Sequence, residues 1–337
     1  MRKLLLNTMT ALLAVGSIAS AGSAVAQEIR EQSFKVSQAN PKGHPLVTGA
    51  EKFAELVAAK SGGKMKLNLF PGGTLGSDAA SVSALQGGTI EIVVLNSGIL
   101  AAQVKDFEIY DFPFLFADGK EADAVVDGPL GQKLHAKLAD KGIVGLAYWE
   151  LGFRQMTNSK RAITKVEDIA GLKLRVIPNA INVDWVKALD ANPTPLAFTE
   201  LYAALEQKAV DGQENPLSVI LANKFAEVQK FATLTNHQYN PQSVIFSKKV
   251  WDGLNAAERK VLQDSANEAA KYQRQVSREA ATSTANQLKA AGMQISEFSP
   301  AEVAKLRERM KPVIDKHGAG IPDTVKEMLA ELAKLRK

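Results

Sequence analysis

Two arginines and an asparagine sit where chain elements end, and all three suit an anionic ligand. In Gly171-Leu172-Lys173-Leu174-Arg175-Val176, the residues Leu172, Leu174 and Val176 share one strand face, which puts Arg175 on the other face near the strand's end. Ends of parallel strands are where open α/β sheets take ligands, although on spacing alone a solvated strand-face arginine is the commoner outcome. Arg154 follows a strand that ends at Trp149-Glu150 and carries the same pair of readings. Asn215 stands in Val210-Asp211-Gly212-Gln213-Glu214-Asn215-Pro216, where Pro216 disfavours a helical Asn215 and suits the first position of a following helix. Asn215 is then either that helix's N-cap or an amide beside the positive helix end, facing an anion.

Signatures of turnover are missing. The sequence has no G-x-S-x-G elbow, no H-E-x-x-H, no P-loop and no G-x-G-x-x-G. His44, His135, His237 and His317 are scattered with no pair at metal-ligand spacing, so neither a metal site nor a cofactor is expected. Among 36 Asp and Glu any two can be called a pair, which leaves a glycosidase reading without specificity. Zero Cys removes disulfides, thiolate metal sites, a Cys nucleophile and a cysteine lipid anchor.

The elements that would position the arginines alternate strand and helix. Leu46, Ala50, Phe53 and Val57 recur at helical spacing across 44–59, and Met65, Leu67 and Leu69 then alternate with Lys64, Lys66 and Asn68 as a strand. Pro71-Gly72-Gly73 breaks it, Asp78 can cap a short helix ending at Gly87-Gly88, and 90–95 is a buried-strand run. Strand, helix, strand in this order implies a parallel sheet and an α/β fold. After the Phe-rich loop 112–116 come a helix near 129–140, strands over 142–149 and 172–176, a helix near 180–190 and another from Thr199. Asn255 with Glu258 is a capping-box pattern, and no Pro or Gly follows until Gly292. The implied helix of roughly 35 residues is about 50 Å long. That exceeds one lobe of this size, so it bridges two lobes or bends. Ser299-Pro300-Ala301-Glu302 opens a further helix and Pro322 the last.

At 337 residues, 46% hydrophobic and 23% charged, the chain is ordinarily globular and long enough for two lobes. Residues 1–26 read as a secretory signal: Arg2 and Lys3, an apolar stretch over 4–18, then Ala24-Val25-Ala26 with cleavage after Ala26. The apolar stretch is shorter than the roughly 20 residues of a spanning helix. An exported, freely diffusing protein without cysteine fits a bacterial periplasm. The formal charge of +5 lies partly in the first three residues and includes no basic block, so no nucleic-acid partner is expected.

Taken in order, several stretches resemble the solute-binding proteins of tripartite ATP-independent periplasmic (TRAP) transporters, the DctP-type family. They are Trp149-Glu150-Leu151-Gly152-Phe153-Arg154, Thr157-Asn158-Ser159-Lys160-Arg161, Gly171-Leu172-Lys173-Leu174-Arg175-Val176, Asn192-Pro193-Thr194-Pro195 and Ala209-Val210-Asp211-Gly212-Gln213-Glu214-Asn215-Pro216. Glu227-Val228-Gln229-Lys230 before Thr235-Asn236-His237 continues the series, which covers essentially the whole chain. The resemblance implies a two-lobed periplasmic binding protein fold with one long helix spanning both lobes. Lobe I would hold 27–151 plus 240–279, and lobe II 152–239 plus 280–337. By the same resemblance Arg175 is the arginine that grips a ligand carboxylate bidentately, Arg154 a second carboxylate-facing arginine, Asn215 the asparagine fixing that end, and Phe198 an aromatic packing on the ligand. Sialic-acid-binding members present a Glu and an Arg three residues on; here the stretch is Asn96-Ser97-Gly98-Ile99, a departure from that subgroup. Asn96, Asp78 and Asn40 are the expected readers of ligand hydroxyls.

The expected function is periplasmic capture of a small organic acid, a C4-dicarboxylate, sugar acid or hydroxy monocarboxylate, by hinge closure. The partners would be that ligand and the TRAP membrane subunits, with the protein a monomer and not an enzyme. Two rival readings use the same fold: a periplasmic enzyme on carboxylic acids, for which Glu150 is the nearby acid or base, and a ligand sensor for a membrane kinase.

Overall fold

The computed structural model describes residues 28–336, so the signal and its cleavage site lie outside the described residues. A first run of elements comprises β1 (Gln32–Gln38), α1 (Pro45–Lys60), β2 (Met65–Phe70), α2 (Asp78–Gly87), β3 (Ile92–Asn96), the 3-10 turns Ser97–Ala102 and Lys105–Asp111, α3 (Gly119–Val126), α4 (Pro129–Lys137) and β4 (Ile143–Phe153). A second comprises β5 (Gln155–Asn158), β6 (Lys173–Val176), α5 (Ala180–Ala188), β7 (Asn192–Pro195), α6 (Leu201–Glu206), β8 (Gly212–Asn215), α7 (Leu217–Ala222) and β9 (Phe231–Leu234). The chain returns through β10 (Tyr239–Ser247), α8 (Lys248–Trp251) and α9 (Ala256–Ala290), then closes with β11 (Gln294–Glu297), α10 (Pro300–Gly318) and α11 (Pro322–Leu335).

These strands form two sheets, ordered β2-β1-β3-β10-β4 and β11-β9-β5-β8-β6-β7. β1 runs parallel to β2 and β3, as the strand-helix-strand order requires, but β10 lies antiparallel between β3 and β4 and makes the first sheet mixed. In the second sheet β6 is parallel to β7 and β8, while β5 is antiparallel to β8 and β9. Two strands carry the chain across. β4 pairs with β10 from Ile143 opposite Ser247 to Phe153 opposite Tyr239, passes Arg154 and continues into β5 of the other sheet. Every residue of β10 is buried, so polar Asn240, Gln242 and Ser243 sit in the interior between the sheets' neighbours.

Local chemistry sets the element ends. His44 caps α1 through Nδ1, which accepts from the Leu46 N–H at 3.1 Å, and Leu46, Ala50, Phe53 and Val57 are fully buried along the expected stripe. Ser77, rather than Asp78, caps α2: its hydroxyl accepts from the Ala80 N–H, a better-placed cap one residue earlier. Asp78 is thereby the first helical residue, with a carboxylate free of any cap role. The box at Asn255 is complete, the Asn255 side chain accepting from the Glu258 N–H at 3.0 Å and Glu258 accepting from the Asn255 N–H at 2.8 Å.

The 35-residue α9 packs on α1 and β4 along its first half and on α7 and β11 at its far end, where Leu288 joins a core with Leu201 and Phe225. It also covers the open edge of β4. Gln273 accepts from the Glu150 N–H and donates to the Glu150 carbonyl, both at 2.8 Å, and Arg274 donates to the Tyr148 carbonyl at 2.8 Å. Gly49 on α1 makes the approach possible, since a Cβ there would lie 2.5 Å from Gln273 Cγ.

The last two helices diverge. α10 packs on α5, and at its end His317 sits between Glu108, 2.7 Å from Nδ1, and Asp184, 2.8 Å from Nε2. α11 leaves α10's neighbours and packs on α3 and α4, tied by Lys133–Glu327, Glu121–Arg336 and Asp106–Thr324 pairs. Among the described residues, no helix is long and apolar enough to cross a membrane.

Candidate functional site

A cavity of about 160 Å³ lies between the two sheets. One water needs about 10–15 Å³ of such space, so the cavity suits a molecule of on the order of ten heavy atoms. All seven residues singled out in the sequence, Arg175, Arg154, Asn215, Phe198, Asn96, Asp78 and Asn40, line it. One wall comes from the first sheet: Asn40 after β1, Asp78 in the first turn of α2, Asn96 at the end of β3, and Gln242 of β10. The facing wall comes from the second: Arg175 of β6, Phe198 before α6 and Asn215 at the end of β8, with Arg154 at the crossing from β4 to β5.

Arg175 is 2% exposed, not a solvated strand-face residue. Its Nε donates to the Leu196 carbonyl at 2.9 Å, and its two terminal nitrogens meet no protein acceptor among the described residues. The guanidinium carbon lies 5.8 Å from the Phe198 ring centroid, within cation–π range. Burial, helped by the charge of Arg154 and opposed by Glu214 and Asp78, lowers its pKa to about 10, so it stays cationic at neutral pH. A buried cation with an open planar fork is costly until an anion meets it, and a carboxylate matches the fork with two parallel hydrogen bonds.

Arg154 is as deeply buried but already satisfied. Its Nε and Nη2 donate to the Glu214 carboxylate, the latter at 2.8 Å, and Nη1 donates to Asn240 Oδ1 at 2.6 Å. His237 Nε2 lies 3.3 Å from the same carboxylate. Burial works against the Glu214 anion, yet Arg154 and His237 outweigh it and hold the pKa at about 2. The pair therefore contributes no net charge to the cavity. Beside it, Asp111 accepts from Gln238 at 3.0 Å and from Asn240 at 3.3 Å, and burial pushes its pKa up to about 7 against the pull of Arg154.

Asn215 closes strand β8 and is not the cap of α7; Pro216 occupies that position, and the Asn215 amide donates to Gln213 at 2.6 Å. On the opposite wall Asn96 Oδ1 accepts from the Gly98 N–H at 2.8 Å, which fixes its amide with Nδ2 unpaired. Asn40 Oδ1 and Gln242 Nε2 are also buried without partners. Burial pushes the Asp78 carboxyl up to about 6, with Arg175 pulling it down.

Sequence reasoning did not single out Glu214, Gln242, Asn240 or Asp111. Glu214 had a usable signal, since it stands beside Asn215 in the same motif. Glu150, the acid or base of the enzyme reading, lines no part of this cavity and accepts from Arg278 Nη2 at 2.6 Å and from the Tyr239 hydroxyl at 3.1 Å, tying α9 to the crossing strands.

Comparison with known proteins decides the family. The family model "DctP: Bacterial extracellular solute-binding protein, family 7" matches residues 36–320. The chain belongs to that family. A TRAP periplasmic solute-binding protein of Ochrobactrum anthropi, solved with its C-terminus in the ligand-binding pocket, is 54% identical, covers 91% of this chain and 96% of its own, and superposes with a TM-score of 0.81. The sugar acid binding protein of Advenella mimigardefordensis, solved with galactonate, is 40% identical over 91% of this chain and 99% of its own, with a TM-score of 0.89. The 2,3-diketo-L-gulonate-binding periplasmic protein YiaO of Escherichia coli is 36% identical over 285 residues, 85% of this chain and 86% of its own. The DctP-family fold is thus the two-lobed α/β fold that the ordered motifs implied, and the family is one of solute-binding proteins rather than enzymes.

Proposed function

We propose that this DctP-family protein is the periplasmic capture component of a TRAP transporter. It takes a small organic acid in the cavity between the sheets, closes on it about the β4 and β10 crossings, and delivers it to the TRAP membrane subunits without chemical turnover. It acts as a monomer, exported by a signal cleaved after Ala26. The observation that carries the reading is Arg175: a buried cation whose open fork faces a cavity lined from both sheets. A carboxylate there bridges the two walls, so it binds the closed form better than the open one and shifts the population toward closure. The sugar acid held by the Advenella relative and the keto acid in the name of YiaO support an acidic ligand. For the lobes we keep the divisions at 151/152, 239/240 and 279/280; the contacts of α11 with α3 and α4 favour moving 322–335 from lobe II to lobe I.

Arg175→Lys keeps the charge and loses the fork. In a thermal-shift and calorimetric screen against organic acids and matched neutral sugars, the wild type is stabilised by an acid and not by its neutral analogue, and Arg175→Lys binds that acid at least tenfold more weakly. Equal binding by the variant, or equal stabilisation by the neutral sugar, overturns the reading.

A further inference from the structure

Three charged residues line the cavity, and their arrangement restricts the ligand beyond "an acid". Arg154 is neutralised by Glu214, leaving Arg175, among the described residues that line the cavity, as the one cation not already matched by a direct ion pair, and the remaining charge there is the Asp78 carboxylate, near enough to interact with Arg175. The cavity thus offers one site for an anion and, beside it, an anion of its own. A second ligand carboxylate would find no cation and would meet Asp78 as a like charge.

The unpaired polar atoms on the first-sheet wall complete the pattern. Asn96 Nδ2 and Gln242 Nε2 are buried donors without acceptors and Asn40 Oδ1 a buried acceptor without a donor, and beside them the half-buried Asp78 carboxylate lines the cavity as a further acceptor. A carboxylate end only accepts, so it leaves Asn40 and Asp78 unsatisfied, whereas a hydroxyl both donates and accepts and can serve all four. Leaving a buried polar group unpaired is what makes such sites reject an analogue lacking the matching group.

We infer that the ligand is a polyhydroxylated monocarboxylate of the aldonic-acid class, its carboxylate on Arg175 and its hydroxyls on the Asn40, Asp78, Asn96 and Gln242 wall, and that Asp78 excludes dicarboxylates. The inference rests on the capture reading above and narrows it.

The test uses pairs that differ only in the far end, where CH₂OH replaces COO⁻: glycerate and tartronate, erythronate and meso-tartrate, galactonate and galactarate. Titration calorimetry on the purified wild type at pH 7.5 is expected to show the best-bound monoacid at least tenfold tighter than its diacid partner. In Asp78→Asn, which has nearly the same shape, that ratio is expected to fall several-fold. A diacid that matches or exceeds its monoacid in the wild type overturns the inference while leaving acid capture standing. An unchanged ratio in a folded Asp78→Asn removes Asp78 as the selecting group, which also overturns it. If none of the six acids nor succinate binds, the capture reading itself falls and takes this one with it.

Discussion

Two arginines line one cavity, Arg154 at 1% and Arg175 at 2% exposure, and the chain treats their charges in opposite ways. Around Arg154 the protein supplies the anion: Glu214 and Asn240 take up most of its donors, and His237 braces Glu214 from behind. Around Arg175 the protein supplies one carbonyl and leaves the fork open. The difference separates two uses of a buried charge. A cation matched from within the chain holds the crossing strands together, whereas a cation left unmatched is a standing cost that only a ligand relieves. Burial alone, nearly equal for the two, does not tell them apart; the inventory of acceptors does.

Removing the internal anion should have the largest effect. Glu214→Ala leaves Arg154 buried without its counter-ion, and loss of one partner of such a pair costs about 3–5 kcal/mol; chemical denaturation should show it, and a loss below about 1 kcal/mol would mean that Arg154 finds water or another acceptor. The same contact has a pH signature of intermediate size. The Glu214 pKa, about 2 in the folded protein, lies below its value in the unfolded chain, so its stabilisation is present in full above about pH 4.5 and is lost as pH falls toward 2. The stability gap between wild type and Glu214→Gln should therefore be constant at neutral pH and close on acidification through that window; a gap that widens there would reverse the assignment. The smallest effect on stability is expected at the other arginine. Arg175→Met, measured without ligand, should change the unfolding free energy by no more than about 1 kcal/mol in either direction, since it replaces an unmatched charge by an apolar side chain of similar length. Ligand-induced stabilisation should disappear in the same variant. A large loss of apo stability in Arg175→Met would erase the contrast between the two sites.

The readable parts of the site were those written locally. Arg175 stood at the end of a strand whose alternating leucines were visible, and Asn255 with Glu258 marked the start of α9 three residues apart. The partners of Arg154 were not readable from pattern, because Glu214 and Asn240 lie 60 and 86 residues away and meet it only once two sheets have formed. Strands β5, β7, β8 and β9 have four residues each and, unlike the equally short β6 and its lead-in, carry no leucines at alternate positions to mark them. β10 is buried on both faces, so Asn240, Gln242 and Ser243 break no visible pattern while carrying the polar interior. The cap of α2 moved by one residue, from Asp78 to Ser77, because serine and aspartate compete on equal terms for that position. That shift is what frees Asp78 to face the cavity.

The parting of α10 and α11 adds a fourth connection to β4, β10 and α9. α10 rides on α5 while α11 is fastened to α3 and α4, and only residues 319–321 join them. A link of that length spans about 14 Å from end to end when fully stretched. In the hinge closure proposed above such a link would be a tether: the two walls could part only until it is taut, and any wider gape would first have to peel α11 from α3 and α4. On that proposal, the unliganded protein would stay within reach of its closed form, and the search for closure after an acid lands on Arg175 would be short.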